Sequence, residues 1–397
     1  MKKKRLFSML FTVLLCAVPL AGCSSGENEK TPAVTGEAGQ EKNDGGGNPA
    51  PSGSPNDNAE NPGSEDNAGG AGQEDSEDGS SAENKIEIVH TRDLSNPNAT
   101  EKAQLIYDYL CSVTGNAVIS GVQESPSAAG ANDEINYIKR VSGKYPALRG
   151  FDYINDDFEG VNKRAEFWGN EMNGLVTICW HWGTPPDGIG YESSKGKIDL
   201  DKALTEGTEL YEAMVAQMDN VAGYLKELQD KGIVVLWRPF HEFDGQWFWW
   251  GKGGNEKFIQ LWQLMYDRYT NIHGLNNLIW VLGYSDQVKR DWYPGDEYVD
   301  IVGADSYKTG TRNALYKLVC AFGAEGMPVP LHECGAVPNP DELIESGTNW
   351  TWFMTWTLSN MRENNTKEEL AHAFGHDYVI TLEQLPDFDE LLEAGES

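Results

Sequence analysis

Eight short β-rich runs alternate with longer helical patterns between residues 117 and 356. This alternation indicates parallel strands joined by crossover helices, because parallel neighbours need a connection long enough to hold a helix. Eight such repeats predict a closed (β/α)8 TIM barrel, and an open doubly wound sheet is the alternative. The predicted strands are Ala117–Ser120, Ala147–Phe151, Leu175–Trp180, Ile233–Trp237, Leu278–Leu282, Val299–Gly303, Pro328–Leu331 and Trp352–Trp356.

The helix before the fourth predicted strand has the clearest periodicity. Apolar residues recur at intervals of three and four from Leu210 to Leu228, and Gly232 follows as a stop signal. A second helical pattern begins at Phe258 and ends at Gly274. We expect both apolar stripes to pack in the core, where they have no direct role in function.

The first 84 residues lack these patterns. Residues 1–23 have a basic start, an apolar stretch and the ending Leu20-Ala21-Gly22-Cys23, which resembles a bacterial lipoprotein signal peptide. We expect cleavage before Cys23 and lipidation of Cys23, which would anchor the exported protein on the outer face of the cell membrane. An ordinary secretory signal is the alternative. Residues 24–84 contain 14 acidic and 2 basic residues and no aromatic ones, so we expect a disordered acidic tether.

Residues 85–397 are predicted to form one large domain, because no other low-complexity segment interrupts them. The formal net charge of the chain is -31, which disfavours nucleic acid and anionic lipid as ligands and fits an uncharged substrate. We expect a monomer. The four cysteines of this domain lie in apolar runs, and the sequence leaves open whether Cys111, Cys179, Cys320 and Cys334 are free or paired.

Polar and aromatic residues follow every predicted strand. In a TIM barrel the loops that follow the strands gather at one end, where active sites form. We therefore expect a single cleft lined by carboxylates, imidazoles and indoles. Its candidate residues are Gln123-Glu124, Asp152-Tyr153, His181-Trp182, Arg238 through Glu242, Tyr284-Ser285-Asp286, Asp305-Ser306-Tyr307, His332-Glu333 and Trp356.

Two glutamates of this set can perform acid–base and nucleophilic chemistry. Glu242 and Glu333 follow strands four and seven, and glycoside hydrolysis needs two carboxyl groups that flank the bond to be cut. Aromatic neighbours should raise the pKa of Glu242 by desolvation, so Glu242 is predicted to be the acid/base. Glu333 must stay charged to act as nucleophile, and Arg238 and Tyr307 are the expected donors to it. Salt bridges at the barrel rim are the alternative for each glutamate.

Other chemistries lack support in the sequence. A zinc-binding His-Glu-x-x-His motif would need histidine at Gly245 or at Ala336. There is no G-x-S-x-G motif and no phosphate-binding glycine loop, so a Ser-His-Asp hydrolase and a phosphate-binding loop lack support as well.

Aromatic density around Glu242 points to a sugar ligand. The segment Trp247–Trp250 could stack on sugar rings or form a packed lid over the barrel, and Trp180, Trp182, Trp292 and Trp356 share this ambiguity. We expect the loops Gly188–Lys197 and Gly251–Asn255 to set the shape of the cleft.

The segment Trp237–Gly251, which reads WRPFHEFDGQWFWWG, closely resembles the acid/base segment of glycoside hydrolase family 26. The resemblance extends over nearly all of the folded domain. The segments Asn96–Thr100, Ile119–Glu124, Gly150–Tyr153, Ala304–Tyr307 and Val379–Pro386 are also similar to that family.

The resemblance implies a TIM barrel and double displacement with retention, with Glu242 as acid/base and Glu333 as nucleophile. It implies that His241 positions Glu242 and that Tyr307 hydrogen-bonds the nucleophile. Trp356 would form the floor under the cleaved sugar, and no metal and no organic cofactor is implied. Arg238, His181 and Trp247 would complete the pocket, with His181 near the cleaved sugar and Trp247 just beyond the bond.

The best-known members of this family are endo-β-1,4-mannanases, so the resemblance implies activity on mannan, galactomannan or glucomannan. The alternatives are the same chemistry on β-1,3-1,4-glucan or on β-1,3-xylan. A lipid-anchored sugar-binding protein is a further alternative from a different class, but it would not require paired glutamates at strand ends.

Overall fold

A computed structural model describes residues 86–125, 132–323 and 325–395, and all of these lie in the unit Ser80–Ser397. The predicted signal peptide, the lipidation site Cys23 and the acidic tether lie outside the described residues. They stay predictions, as does the domain boundary after residue 84. Within the described residues, no helix combines the length and the apolar character that a membrane span requires.

Eight parallel strands close into a barrel, as the alternation predicts. Each strand pairs with the next along the chain, and β1 closes the ring by pairing with β8, where Ile119 lies opposite Trp352. The (β/α)8 TIM barrel is therefore confirmed, and the open sheet is excluded. The strands are β1 Val118–Gln123, β2 Leu148–Asp152, β3 Leu175–Cys179, β4 Val235–Arg238, β5 Leu278–Tyr284, β6 Ile301–Asp305, β7 Leu331–Cys334 and β8 Trp352–Thr355.

Helices connect the strands, and a short ninth strand extends the sheet outside the ring. This strand, β9 Val379–Ile380, pairs in parallel with β1. Within the described residues the α-helices are α1 Glu101–Val113, α2 Asp133–Ser142, α3 Phe158–Glu166, α4 Gly190–Ser194, α5 Leu200–Ala203, α6 Glu209–Asp230, α7 Asn255–Asp267, α8 Asn313–Cys320, α9 Pro340–Ser346, α10 Leu358–Asn364, α11 Lys367–Gly375 and α12 Phe388–Gly395.

Helix α6 contains the predicted stripe from Leu210 to Leu228 and extends it at both ends. Its N-cap Thr208 accepts a hydrogen bond from the backbone N–H of Tyr211 through Oγ1, at 3.1 Å. Gly232 follows with a φ of 71°, a conformation that glycine adopts without steric cost. The apolar residues of the stripe beyond Leu210 are buried against the barrel. They serve the core, as expected.

The seventh strand begins later than predicted. The expected run Pro328–Leu331 shares only Leu331 with β7, because proline has no N–H and cannot donate to a strand ladder. The carbonyls of Pro328 and Pro330 still accept hydrogen bonds from β6. The strand then continues through polar residues, so Glu333 lies within a buried strand rather than after it.

The alternation of side chains along each strand determines what reaches the barrel interior. In β5, Leu278, Trp280 and Leu282 belong to one apolar cluster, while Ile279 and Val281 belong to another. The second cluster also includes Leu236 of β4, Ile301 of β6 and Ile119 of β1, and it therefore fills the barrel interior. Near the strand ends, three residues in phase with it are charged: Asp152, Arg238 and Asp305. Strand geometry thus brings charged groups together above an apolar core.

Candidate active site

Three carboxyl groups meet at the end of the barrel where the strands terminate. One oxygen of Glu242, one of Asp305 and one of Glu333 lie within 4.8 Å of one another. Asp305 ends β6 and Glu333 lies in β7, whereas Glu242 lies four residues beyond β4. The structure therefore brings the two predicted glutamates into one cleft.

Arg238 bridges two of the three carboxylates. Its guanidinium is buried, with Nη1 donating to Asp305 Oδ2 at 3.1 Å and Nη2 donating to Glu333 Oε1. Tyr307 Oη donates to the other oxygen of Glu333, Oε2, at 2.8 Å. Both donors expected for Glu333 are thus in contact with it. Two donors, one of them charged, stabilise the ionised form of this carboxyl group.

Glu242 has a different environment. Its oxygen Oε2 accepts a hydrogen bond from Trp247 Nε1 at 2.9 Å, and Arg238 does not donate to it among the described contacts. Burial, together with the nearby charge of Glu333, raises the pKa of Glu242 from its ordinary value of 4.5 to about 7. Burial and the charge of Glu333 also raise the pKa of Asp305. The two glutamates therefore differ: Glu333 accepts from a charged donor, whereas Glu242 has a neutral donor and a pKa raised into the neutral range.

The backbone around Glu242 is held in an unusual conformation. Phe240, Glu242 and Gln246 have φ values of 52°, 54° and 60°, in the left-handed region that side chains other than glycine rarely adopt. Glu242 N–H donates to the carbonyl of Gly283 at 2.7 Å. Asp244, fully buried, accepts from Ser285 N–H at 2.8 Å. Contacts to the end of β5 thus fix the turn that aims Glu242, as is common for strained segments at functional sites.

Gly283 has an inward position in β5, where its lack of a side chain makes room for the polar cluster. A Cβ atom at this position would lie 3.4 Å from His241 Cβ, 3.4 Å from His332 Nδ1 and 3.5 Å from Arg238 Cδ. A larger side chain would press on these three residues, which pack across the barrel at the level of the carboxylates.

A hydrogen-bonded chain of side chains lies beside Glu242. His181 Nδ1 is 2.5 Å from Asp152 Oδ2, and His181 Nε2 is 3.0 Å from His241 Nε2. Burial lowers the pKa of His181, but the adjacent Asp152 charge and hydrogen bond outweigh it, so that the pKa is raised. Burial and the positive neighbours His181 and Arg238 lower the pKa of His241 well below its ordinary value. These opposite directions favour His181 as the donor to His241.

The aromatic segment after Glu242 divides into packed and open residues. Phe248, Trp249 and Trp250 are buried, which supports the packed-lid interpretation for these three. Trp247 is half-buried and contacts Glu242. Trp180 and Trp182 are buried and stack on each other at 4.2 Å, and Trp292 is buried as well. Most of the tryptophans with an ambiguous role are therefore structural.

All eight predicted site residues occupy the same end of the barrel. Trp356 is half-buried, and its ring centroid lies 6.2 Å from that of His181. Asp152 and Asp305 were expected to line the cleft but were assigned no role, and the structure shows them in contact with His181 and Arg238. Their signal was present in the sequence, because both directly end a strand. Glu124 also follows a strand, but it is buried in ion pairs with Arg149 and Arg164 and has the salt-bridge role.

Two clusters have donor atoms that a metal ion could use: Asp152, Cys179 and His181, and the three carboxylates Glu242, Asp305 and Glu333. In the second cluster Arg238 already supplies a cation to two of the carboxylates. In the first cluster Asp152 already accepts from His181. The expectation of a metal-free site stays a prediction. Cys111, Cys179, Cys320 and Cys334 are all free thiols, which answers the question of pairing for the described residues.

Comparison with known proteins gives relatives along most of the barrel. Residues 95–384 match glycosyl hydrolase family 26. The chain is 34% identical over 320 residues to a mannan endo-1,4-beta-mannosidase of Thermothelomyces thermophilus, an alignment that covers 75% of this chain and 64% of that protein. Three curated relatives align over 75% of this chain, and the chain spans between 51% and 64% of their lengths.

Two solved structures show the same similarity. A ruminal GH26 endo-beta-1,4-mannanase superposes with a TM-score of 0.70 and 30% identity, covering 76% of this chain and 71% of that chain. A beta-mannanase from a symbiotic protist of the termite Reticulitermes speratus, solved with gluco-manno-oligosaccharide, superposes with a TM-score of 0.67 and 28% identity over 74% of this chain and 98% of that chain. Because the family match spans all eight barrel strands and both glutamates, the chain belongs to glycosyl hydrolase family 26.

Proposed function

We propose that the chain is a retaining endo-β-1,4-mannanase that hydrolyses mannan, galactomannan or glucomannan. The proposal rests on the proximity of the Glu242 and Glu333 carboxyl oxygens, which lie within 4.8 Å. Retaining glycosidases hold their carboxyl groups about 5 to 5.5 Å apart, whereas inverting enzymes leave about 6.5 to 9.5 Å for a water molecule. The names of the relatives, mannan endo-1,4-beta-mannosidase and beta-mannanase, support mannan as the glycan.

Glu333 is the nucleophile in this proposal. Its position inside strand β7 and its hydrogen bonds from Arg238 and Tyr307 hold the carboxylate in one orientation. In the first step a Glu333 oxygen bonds to the anomeric carbon as the glycosidic bond breaks, which gives a covalent glycosyl-enzyme.

Glu242 is the acid/base. With a pKa of about 7, it still carries a proton in a large share of the molecules at neutral pH, and it can transfer this proton to the leaving glycosidic oxygen. Trp247 donates to Oε2, so the transferable proton belongs on Oε1. In the second step Glu242 removes a proton from water, the water oxygen attacks the anomeric carbon, and Glu333 is released as a carboxylate.

The remaining residues of the predicted site bind and orient the sugar. His181 and His241 form a hydrogen-bonded pair next to Glu242, and His241 carries the family role of positioning the acid/base. Trp356 supplies an aromatic surface near His181 on which the cleaved sugar stacks. Trp247 contacts the sugar beyond the bond while it orients Glu242. No metal and no organic cofactor takes part.

Reducing-sugar release tests the substrate. The purified protein should release reducing ends from galactomannan and glucomannan faster than from mixed-linkage glucan, lichenan or β-1,3-xylan. Lack of release from any mannan would reject the mannanase proposal. Release from one of the other glycans would then identify the alternative substrate, and binding without turnover on all of them would favour the sugar-binding alternative.

Two variants test the roles of the glutamates. Glu333→Gln and Glu242→Gln should each lower kcat by more than about a thousandfold on mannan, because each removes a group that bonds to the reacting atoms. Glu342→Gln changes an exposed glutamate on α9 and should leave kcat unchanged. Proton NMR of the first products should show the β-anomer. An α-anomer as the first product would reject double displacement.

The lipid anchor also belongs to this proposal, with support from the sequence of residues 1–23 alone. Expressed in a bacterial host, the full chain should partition into the detergent phase of a cloud-point separation, and Cys23→Ser should move it to the aqueous phase. Equal partitioning of the two forms would reject lipidation at Cys23. We further propose a monomer. In sedimentation the protein should have a mass no greater than that of one full chain, 43.9 kDa, and a mass of about twice that value would reject the monomer.

A further inference from the structure

Several aromatic side chains contact the carboxylates or the neighbouring His181 and keep part of their surface open to solvent. In the described chain this group includes Tyr191, Trp247, Tyr307 and Trp356. Trp247 and Tyr307 donate hydrogen bonds to the proposed catalytic carboxylates. Tyr191 is different, because the structure gives it no hydrogen bond to any of the three carboxylates and the proposed mechanism does not use it. It is 45% exposed and lies in α4, within the loop between β3 and α5.

The ring of Tyr191 continues the aromatic surface around the acid/base outward to the rim. It packs edge-to-face against His181, with centroids 5.5 Å apart, and against Phe248 at 6.0 Å. Trp247 packs edge-to-face against the same Phe248 at 6.2 Å. Tyr191 and Trp247 therefore both rest on Phe248, which is itself buried beside His241. Tyr191 lies on the His181 side of the cleft, and Trp247 lies on the Glu242 side.

The loop that carries Tyr191 is held in place by hydrogen bonds to its surroundings. Thr184 N–H donates to Ser193 Oγ at 3.1 Å across the base of the loop, and Ser194 Oγ donates to the carbonyl of Tyr191 at 2.6 Å. From outside the loop, Gln217 Nε2 donates to the carbonyl of Pro186 at 2.6 Å. Lys252 Nζ donates to the carbonyl of residue 196 at 2.9 Å. A platform that is fixed before binding loses little conformational entropy when a ligand arrives.

Core packing does not account for the position of Tyr191. The tryptophans that serve the lid, Trp249 and Trp250, are fully enclosed, whereas Tyr191 keeps nearly half of its surface in solvent. Its neighbour Ile189 is 60% exposed, so the loop presents two apolar side chains beside the cleft. Lys195 Nζ lies over the ring, 3.9 Å from its centroid. Exposed apolar surface next to a cleft is typical of a binding site.

We propose that Tyr191 is a stacking platform for a sugar ring next to the one that is cleaved, on the His181 side of the cleft. The apolar CH face of a pyranose ring can stack on the exposed phenol ring. Because the fixed loop holds this ring beside the position of the cleaved sugar, only a chain longer than one sugar would reach it. Tyr191 would then set the affinity for the polysaccharide without taking part in bond cleavage. This proposal rests on the proposed mannanase function.

Substrates of two lengths test the proposal. An activated aryl β-mannoside places its one sugar in the position of the cleaved sugar and its aryl group beyond the bond, on the Trp247 side, whereas mannopentaose also fills the neighbouring sugar positions. Tyr191→Ala should lower kcat/KM on mannopentaose about three- to tenfold, mainly through KM, as expected for the loss of one aromatic contact. It should leave kcat/KM on the aryl β-mannoside unchanged. Tyr191→Phe keeps the ring and should behave as the wild type on both substrates.

Phe167→Ala is the matched control, because Phe167 is a similarly exposed aromatic residue, at 49%, that lies outside the cleft after α3. It should leave both rates unchanged. Equal losses on both substrates for Tyr191→Ala would mean that Tyr191 acts through His181. No loss on mannopentaose would mean that Tyr191 does not bind a sugar. Either result would overturn the proposal that Tyr191 is a stacking platform. A wild type that cleaves neither substrate would instead reject the mannanase function itself.

Discussion

Replacing Trp247 by Phe tests whether a single indole N–H sets the proton affinity of Glu242. Trp247 Nε1 donates to Glu242 Oε2 at 2.9 Å, and this bond stabilises the ionised carboxylate. Phe retains an aromatic ring that can still pack against Phe248, so the variant removes the donor while keeping most of the packing.

The expected size of the effect follows from the competing influences on Glu242. Burial and then the charge of Glu333 raise its pKa from 4.5 to about 7, and the Trp247 hydrogen bond opposes them. A hydrogen bond to a charged group contributes about 1.5 to 3 kcal/mol, and one pKa unit corresponds to about 1.4 kcal/mol. Glu242 is not fully enclosed, so water can replace part of the lost bond. We therefore expect the pKa of Glu242 to rise by about one unit.

The pH dependence of kcat/KM on mannopentaose measures this change, because it reports the ionisation of groups in the free enzyme. The alkaline limb should move from near pH 7 towards about pH 8 in Trp247→Phe, since a higher pKa keeps the acid protonated to higher pH. Trp350→Phe is the control, because the indole of Trp350 donates to the carbonyl of Thr311 at 2.9 Å, away from Glu242. An alkaline limb that stays in place or moves to lower pH would refute the reasoning.

Three further variants test stability and charge. The folded-state pKa of Glu242 lies above the ordinary value, so the wild type loses stability as the pH rises from 4.5 through about 7. Glu242→Gln should therefore raise Tm at about pH 8 but not at about pH 4 in thermal unfolding scans. Arg238→Lys should lower kcat at least about a hundredfold in the mannan assay, because one ammonium cannot replace a guanidinium that bridges two carboxylates. Asp300→Asn should cost about 2 kcal/mol in urea unfolding with kcat unchanged, because buried Asp300 accepts two backbone N–H groups and an amide would turn one acceptor into a donor.

The barrel was predictable because its signals are local. Each predicted strand overlaps an observed one, since buried parallel strands are nearly continuous apolar runs. The prediction failed at β7, where an apolar criterion stops at Leu331 but the strand continues through His332 and Glu333. A buried polar strand end is stabilised by its partners across the barrel. Those partners, such as Arg238, are distant in sequence and cannot be read from the run itself.

The contacts and burial of individual side chains were less predictable than the positions of the strands. Four adjacent aromatics at 247 to 250 look alike in the sequence, yet only Trp247 keeps an open surface and a contact with Glu242. The direction of each ring depends on left-handed backbone at Phe240, Glu242 and Gln246, which the residue types do not indicate. The position of Tyr191 beside His181 was not predicted for a related reason. Its loop was expected to shape the cleft, but its contact with His181 depends on how the loop folds back.

The different roles of the two glutamates follow from an imbalance of charge. Three carboxyl groups share the cleft with one guanidinium, and Arg238 donates to Asp305 and Glu333 but leaves Glu242 with a neutral donor. Glu242, whose donor is neutral, has a pKa raised to about 7, and the negative charge of Glu333 is part of the reason. In the proposed mechanism that charge disappears when Glu333 forms the glycosyl ester. The pKa of Glu242 should then fall, and the acid of the first step becomes the base that the second step requires.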